Sequence, residues 1–156
     1  MYADGDAAYD FLVRERGVRP EKLVLYGHSL GTAVAIDLAE RRRGAALIVE
    51  SGLSSASEMA ANALPWLPRW LHWLGKNRFE SARKIARVHC PVLVTHGTRD
   101  EVIPVELGRR LFAVANEPKR LEIVEGGDHN LIGNGGETYL GKIADFLRTS
   151  LASPSN

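Results

Sequence analysis

Four short apolar runs separated by helix-length segments constrain this chain more than any other feature. Residues 22–26 (ending in LVLY), 45–49, 92–95 and 121–124 each read as a strand. Residues 4–16 place Ala8, Phe11, Leu12 and Glu15 at helical spacing before Gly17, a natural stop. Residues 30–43 repeat that spacing through Ala33, Ile36, Asp37 and Ala39. They close on Arg41-Arg42-Arg43, cations that suit the negative end of a helix dipole. Residues 104–114 and 139–147 are helical as well, the first with Pro104 at its start. Continuous apolar strands alternating with helices predict a parallel sheet covered on both faces, an α/β fold.

Composition narrows the function classes. The chain has 156 residues, 45% hydrophobic and 25% charged, enough for one core and one domain spanning residues 1–156. Twenty Lys and Arg against 19 acids leave a net charge of +1, which gives no bulk field for nucleic acid or acidic lipid. No apolar run approaches the ~20 residues of a membrane span. The acidic N-terminus lacks a signal-peptide pattern, and Cys90 has no partner for a disulfide, so a reducing, cytoplasmic setting is expected. Beside Pro91, Cys90 reads as a small buried hydrophobe. His, Cys and Asp show no ligand spacing, so neither a metal nor a cofactor is expected.

Residues 53–88 break the alternation, with no strand signal between the second and third strands. Trp66, Trp70 and Trp73 lie there at helical spacing, with Pro65, Pro68 and His72. Two readings stand: the aromatic stripe packs on the core, or the segment is a small helical cap whose tryptophans wall an apolar pocket. On the second reading Trp66 and Trp70 face substrate. His72 reads as a solvated or packing histidine.

Gly27-His28-Ser29-Leu30-Gly31 follows the first strand and opens a helix. G-x-S-x-G in a strand-turn-helix setting is the pattern of a nucleophile elbow, in which a strained turn exposes the serine hydroxyl. The flanking glycines are expected to keep strand and helix from colliding, and the helix start directs free N–H groups at the reaction centre. The third strand runs into Asp100, and the fourth into Gly126-Gly127-Asp128-His129. Parallel strands carry Ser29, Asp100 and His129 to the same sheet edge, where α/β sites are built. His129 is then the base and Asp100 the group that fixes its tautomer. Glu50, at the end of the second strand, is the alternative acid; Asp100 is preferred because its loop matches. Glu101 and Asp128 read as solvated or loop-capping carboxylates. His96 is expected to hold the Asp100 loop, and His89 has no evident chemical partner. His28 is expected to pack or hydrogen-bond within the elbow and to border the substrate.

LVLYGHSLGTAVAIDLA, the Glu50-Ser51 strand end, PVLVTHGTRDEVIP and the Gly-Gly-Asp-His segment together resemble the catalytic half of the α/β-hydrolases. The nearest likeness is to the abhydrolase-domain branch of small esterases and thioesterases, across residues 1–150. The resemblance implies cleavage of esters or thioesters with apolar acyl groups through an acyl-enzyme on Ser29, with Leu30 N–H in the oxyanion hole. A serine peptidase-like relative shares the same framework. Such enzymes have eight strands and this chain supplies the last four, so Met1 is expected to be internal to a longer enzyme. Residues 1–26 offer no second oxyanion donor, whose loss costs ~3 kcal/mol, or ~100-fold in rate. A catalytically impaired remnant acting as a binding or assembly module is therefore the competing expectation. The bare edge at residues 22–26 predicts self-association.

Overall fold

The computed structural model describes residues 1–54, 80–134 and 136–152. Four strands, β1 (Val24–His28), β2 (Ala46–Glu50), β3 (Val92–Gly97) and β4 (Lys119–Val124), form one sheet in the order β1-β2-β3-β4. Every pairing is parallel. The fold is α/β, as the alternation of apolar runs requires.

Side-chain alternation along β2 and β3 divides the core between two faces. Leu47, Val49, Val92 and Val94 point to one side. There they meet Ile36 of α2 (Gly31–Arg41), Ile85 of α3 (Ser81–Ile85) and Leu111 of α4 (Val105–Val114). Ala46, Ile48 and Leu93 point to the other side and meet Phe146 of α6 (Gly136–Ala152). A short helix α5 (Leu131–Asn134) links β4 to α6. Burying a side chain such as Ile36 or Leu111, both fully inaccessible, contributes about 1.5–3 kcal/mol before entropy is charged.

The N-terminal helix α1 (Tyr2–Asp10) lies on α2, and a π-helical turn (Phe11–Glu15) follows it before Gly17 at φ +64°. Gly5 allows that approach, since a Cβ there would meet Val34 Cγ1 at 2.6 Å. The arginine run at the end of α2 holds the two helices together. Arg41 bonds both Asp37 and Asp6, while Arg42 reaches Asp6 and Asp10. Asp37 also takes a hydrogen bond from Lys84 of α3. Burial raises the Asp37 carboxyl's affinity for a proton, but Lys84 and Arg41 outweigh it and hold its pKa below the usual value.

Element boundaries differ from the sequence reading where apolarity and pairing part company. β1 ends at His28 rather than Tyr26, because Gly27 and His28 pair with Val49 and Glu50 despite lacking an apolar pattern. β4 begins at Lys119, whose charged residues Arg120 and Glu122 bond each other and, on α6, Asp145 and Lys142. Of the segment read as a cap, residues 55–79 lie outside the described residues, and Trp66, Trp70, Trp73 and His72 with them. Its two ends belong to the domain body: Leu53, Ile85 and Val88 are buried in the core. Cys90 is largely covered, and burial pushes its thiol pKa up to about 11.

The outer edge of β1 pairs with no other strand among the described residues. Beside it an open apolar groove of about 430 Å³ runs between α1, β1 and α2, past Leu12, Leu25, Tyr26, Val34 and Leu38. Gly31 is among the residues that line it. No described helix is long and apolar enough to cross a membrane.

Candidate active site

The site lies where the four parallel strands end. At the end of β1, Ser29 adopts φ +54°, a left-handed backbone that an L-residue other than Gly seldom takes. Three interactions hold it there. Ser29 N–H donates to Glu50 O at 3.0 Å, and Ser29 O accepts from Thr32 Oγ1 at 2.6 Å and Thr32 N–H at 3.1 Å. Gly27 makes the turn possible, because a Cβ there would lie 2.6 Å from Thr32 Cα and 2.7 Å from Gly31 O. The same explanation fails for Gly31. A Cβ there meets nothing within 4 Å, so among the described residues collision with strand and helix accounts for the first glycine alone. Leu30 is the N-cap of α2. Its N–H makes no hydrogen bond among the described residues, while its carbonyl accepts from Ala33 N–H at 3.2 Å.

Asp100 follows β3, and all of its acceptor capacity is used. Oδ1 accepts from Val102 N–H at 2.9 Å and Ile103 N–H at 2.8 Å, a local turn that explains the sequence after the acid. Oδ2 lies 2.8 Å from His129 Nδ1 and 3.2 Å from His96 Nε2, with the carboxylate side chain fully buried. Burial alone raises its pKa. Hydrogen bonds from His96, Ile103, His129 and Val102 outweigh that effect and hold the carboxyl well below the usual carboxylate range. It stays an anion at neutral pH.

Two facing glycines bring the acid loop to the histidine loop. A Cβ on Gly97 would lie 2.2 Å from Gly127 O, and Arg99 N–H donates to that same oxygen at 2.8 Å. Across this contact Thr98 N–H donates to Val124 O at 3.0 Å, and Gly126 N–H donates to Thr98 Oγ1 at 2.9 Å. His129 therefore emerges beside Asp100. With Asp100 accepting at Nδ1, that nitrogen carries the proton and Nε2 is left as the basic lone pair. Among the described residues no hydrogen bond joins Ser29 Oγ to His129 Nε2, a bond that in unliganded sites often tightens only with substrate.

His96 and His28 have defined partners. His96 is buried, with Nε2 at 2.8 Å from Ile103 O and 3.2 Å from Asp100 Oδ2. Both partners are acceptors, so Nε2 carries the proton and the bare Nδ1 faces Gly108 of α4, without a hydrogen-bond partner among the described residues. For His28, the structure shows Nε2 at 2.8 Å from His129 O and the two rings 4.8 Å apart between centroids. Its polar end is occupied by the protein. Glu50, weighed above as an alternative acid, is buried and accepts from Tyr139 Oη at 2.8 Å, Tyr26 Oη at 3.1 Å and Ile132 N–H at 3.3 Å. Burial raises the pKa of both tyrosines, and the neighbouring Glu50 charge adds to it. Glu50 thus braces the segment after His129, while Asp100 contacts the imidazole. Tyr26 and Ser51 lie within the stretches that carry the family resemblance, but nothing in those stretches assigns them a role at the site, and Tyr139 lies in none of them. No group of His, Cys, Asp and Glu among the described residues is arranged to hold a metal ion.

The model of the prolyl oligopeptidase family (Peptidase_S9) matches residues 1–153. The chain belongs to this family. Within the wider α/β-hydrolase superfamily it is similar to the human alpha/beta hydrolase domain-containing protein 17B, 35% identical over 153 residues. That match takes in 98% of this chain and 51% of the relative. An uncharacterized protein of Mycobacterium tuberculosis is 43% identical over 130 residues, 83% of this chain and 46% of its own length. The prolyl oligopeptidase-family chain thus spans about half the length of these curated relatives. Among solved structures, an esterase of Pyrococcus furiosus superposes with a TM-score of 0.77 at 17% identity, over 97% of this chain and 62% of that one. A puromycin-hydrolyzing peptidase of Mycobacterium tuberculosis gives 0.75 at 22%, over 96% and 25%. At those identities the likeness is one of fold.

Proposed function

We propose that this chain carries the catalytic machinery of a serine hydrolase that cleaves carboxylic esters or thioesters. The observation that carries the reading is His129 Nδ1 held at 2.8 Å by the buried Asp100 carboxylate, beside an elbow whose serine sits at φ +54°. Ser29 Oγ attacks the acyl carbon as His129 Nε2 takes its proton, and the carbonyl oxygen becomes an oxyanion facing Leu30 N–H. The imidazolium, stabilised by the Asp100 charge, then protonates the departing alkoxide or thiolate as the tetrahedral intermediate collapses to an acyl-Ser29 ester. Water repeats the sequence in reverse and frees the acid.

Trp66 and Trp70 are proposed as an apolar wall for the acyl group. The esterase neighbours support ester cleavage by fold analogy, which is a weaker warrant than site geometry. A second reading, peptide cleavage, is favoured by the prolyl oligopeptidase family match and the puromycin-hydrolyzing neighbour.

A fluorophosphonate probe separates an active serine from an inert one: the wild-type chain should be labelled and Ser29→Ala should not. Turnover of p-nitrophenyl acyl esters against prolyl p-nitroanilides then decides between the readings. Anilide cleavage without ester cleavage would overturn the first. An unlabelled wild-type protein would favour an impaired module that binds without turnover.

A further inference from the structure

Asp100 grips the His129 side chain, but a single N–H···O contact leaves the ring free to swing about that bond. Where the imidazole sits also depends on the backbone of residue 129, which lies in a loop entered through Gly126 at φ +73°. That backbone is held from the opposite side. His129 O lies 2.8 Å from His28 Nε2 and 3.3 Å from Ser51 Oγ, so both lone pairs of the carbonyl face donors. The donors come from the ends of β1 and β2. His28 immediately precedes Ser29, so one hydrogen bond links the strand that presents the hydroxyl to the residue that takes its proton.

Ser51 is held in an uncommon conformation to make its contact. It adopts φ +48°, is fully inaccessible, and donates its N–H to Thr95 O at 3.0 Å. Ser29 and Ser51 are the two non-glycine residues with positive φ among those described, one following His28 and the other bonded to the His129 carbonyl. Strain of this kind costs on the order of 1–3 kcal/mol and persists where surrounding structure enforces it. Three residues on, Glu50 Oε1 accepts from Ile132 N–H at 3.3 Å, so the histidine segment is tied to the sheet at two backbone points.

We propose that His28 and Ser51 are positioning residues that clamp the carbonyl of His129 and so set where its Nε2 lies relative to Ser29. His28 acts as an Nε2–H donor, because its partner is an acceptor only. Their hydrogen bonds go to the His129 carbonyl and not to its imidazole nitrogens. The inference rests on the reading of Ser29 and His129 as nucleophile and base.

The test is the rate of Ser29 phosphonylation by a fluorophosphonate, separated into maximal rate and half-saturating concentration, with thermal melts of each variant. His28→Ala should slow the maximal rate on the order of tenfold, within the ~100-fold that a 1 Å misplacement can cost, and leave half-saturation unchanged. His28→Gln, which can return an amide donor to the carbonyl, should recover most of the rate, whereas the apolar, donorless His28→Leu should not. Ser51→Ala should slow it less, its contact being the longer one. Wild-type rates in His28→Ala, or equal rates in the Gln and Leu variants, would overturn the clamp. If the wild-type protein is not labelled, the hydrolase reading fails, and the clamp is read by NMR on the His129 Nδ1 proton. That signal should shift or broaden in His28→Leu and keep its position in His28→Gln. An unchanged signal in His28→Leu would overturn the clamp independently.

Discussion

Ser29 and Ser51 end neighbouring strands with nearly the same backbone, φ +54° and +48°, and their hydroxyls have opposite fates. Each donates its N–H at 3.0 Å to the next strand across, Ser29 to Glu50 O and Ser51 to Thr95 O. After Ser29 the chain enters the 11-residue helix α2, and the hydroxyl has no hydrogen bond among the described residues. After Ser51 it passes through Gly52, where a Cβ would lie 2.5 Å from Val49 Cγ1, and the hydroxyl is committed to His129 O. A strained strand end therefore does not by itself decide whether a hydroxyl is spent on the protein. What distinguishes Ser29 is partial exposure and a following helix at whose start Leu30 and Gly31 N–H make no hydrogen bond among the described residues.

The sharpest way to break that contrast is to exchange the two hydroxyls' losses. Ser29→Ala should abolish fluorophosphonate labelling, while Ser51→Ala should retain it; loss of labelling in both would mean the serines act as a unit. Next, Asp100→Asn should lower the labelling rate by about 10³–10⁴-fold, because the amide can present the wrong partner to Nδ1. A smaller loss would mean that His28 and Ser51 alone hold the imidazole.

Gly97→Ala probes the loop contact on which the site depends. Its Cβ meets the backbone of residue 127 rather than a flexible side chain, so a loss of about 2–3 kcal/mol is expected in a denaturant melt. Gly31→Ala meets nothing within 4 Å and should cost far less, which sharpens the distinction between the two glycine roles.

Acid should weaken the fold through groups whose carboxyls are depressed in the native state. Asp100 and Asp37 lie below the ordinary value of 3.8 and Glu122 below 4.5. The unfolded chain binds protons before these native carboxylates do. Their stabilisation is thus complete above those values and is lost as pH falls through the range beneath them. Melting temperature should hold from these groups down to about pH 5 and then drop, with a shallower fall below pH 4 in Asp100→Asn. The smallest effect is expected for Ser51→Gly, where relief of the positive φ offsets the lost hydrogen bond to within about 1 kcal/mol. A larger loss would show that the hydroxyl holds more than the His129 carbonyl.

Much of this was legible in short stretches of sequence. Val92 and Leu47 sit in uninterrupted apolar runs, and period and run length report a buried parallel strand without reference to anything distant. Gly27 could be assigned because a strand-turn-helix needs close backbone approach within five residues. Where the signal was not apolar the reading fell short: Lys119 and His28 are paired in strands, yet neither carries the pattern of a buried one.

The sequence by itself determined the strand-helix alternation, the elbow at Ser29, and the order in which Asp100 and His129 arrive, since each is written in neighbouring residues. Only the tertiary structure decided that Oδ2 of Asp100 serves both His129 and His96. It alone turned Glu50 toward Tyr26 and Tyr139, and brought His28 and Ser51 to the carbonyl of His129 across 101 and 78 residues. Those contacts follow from the register of four strands, which sums many weak main-chain and packing terms. No local pattern encodes which strand end will face which loop.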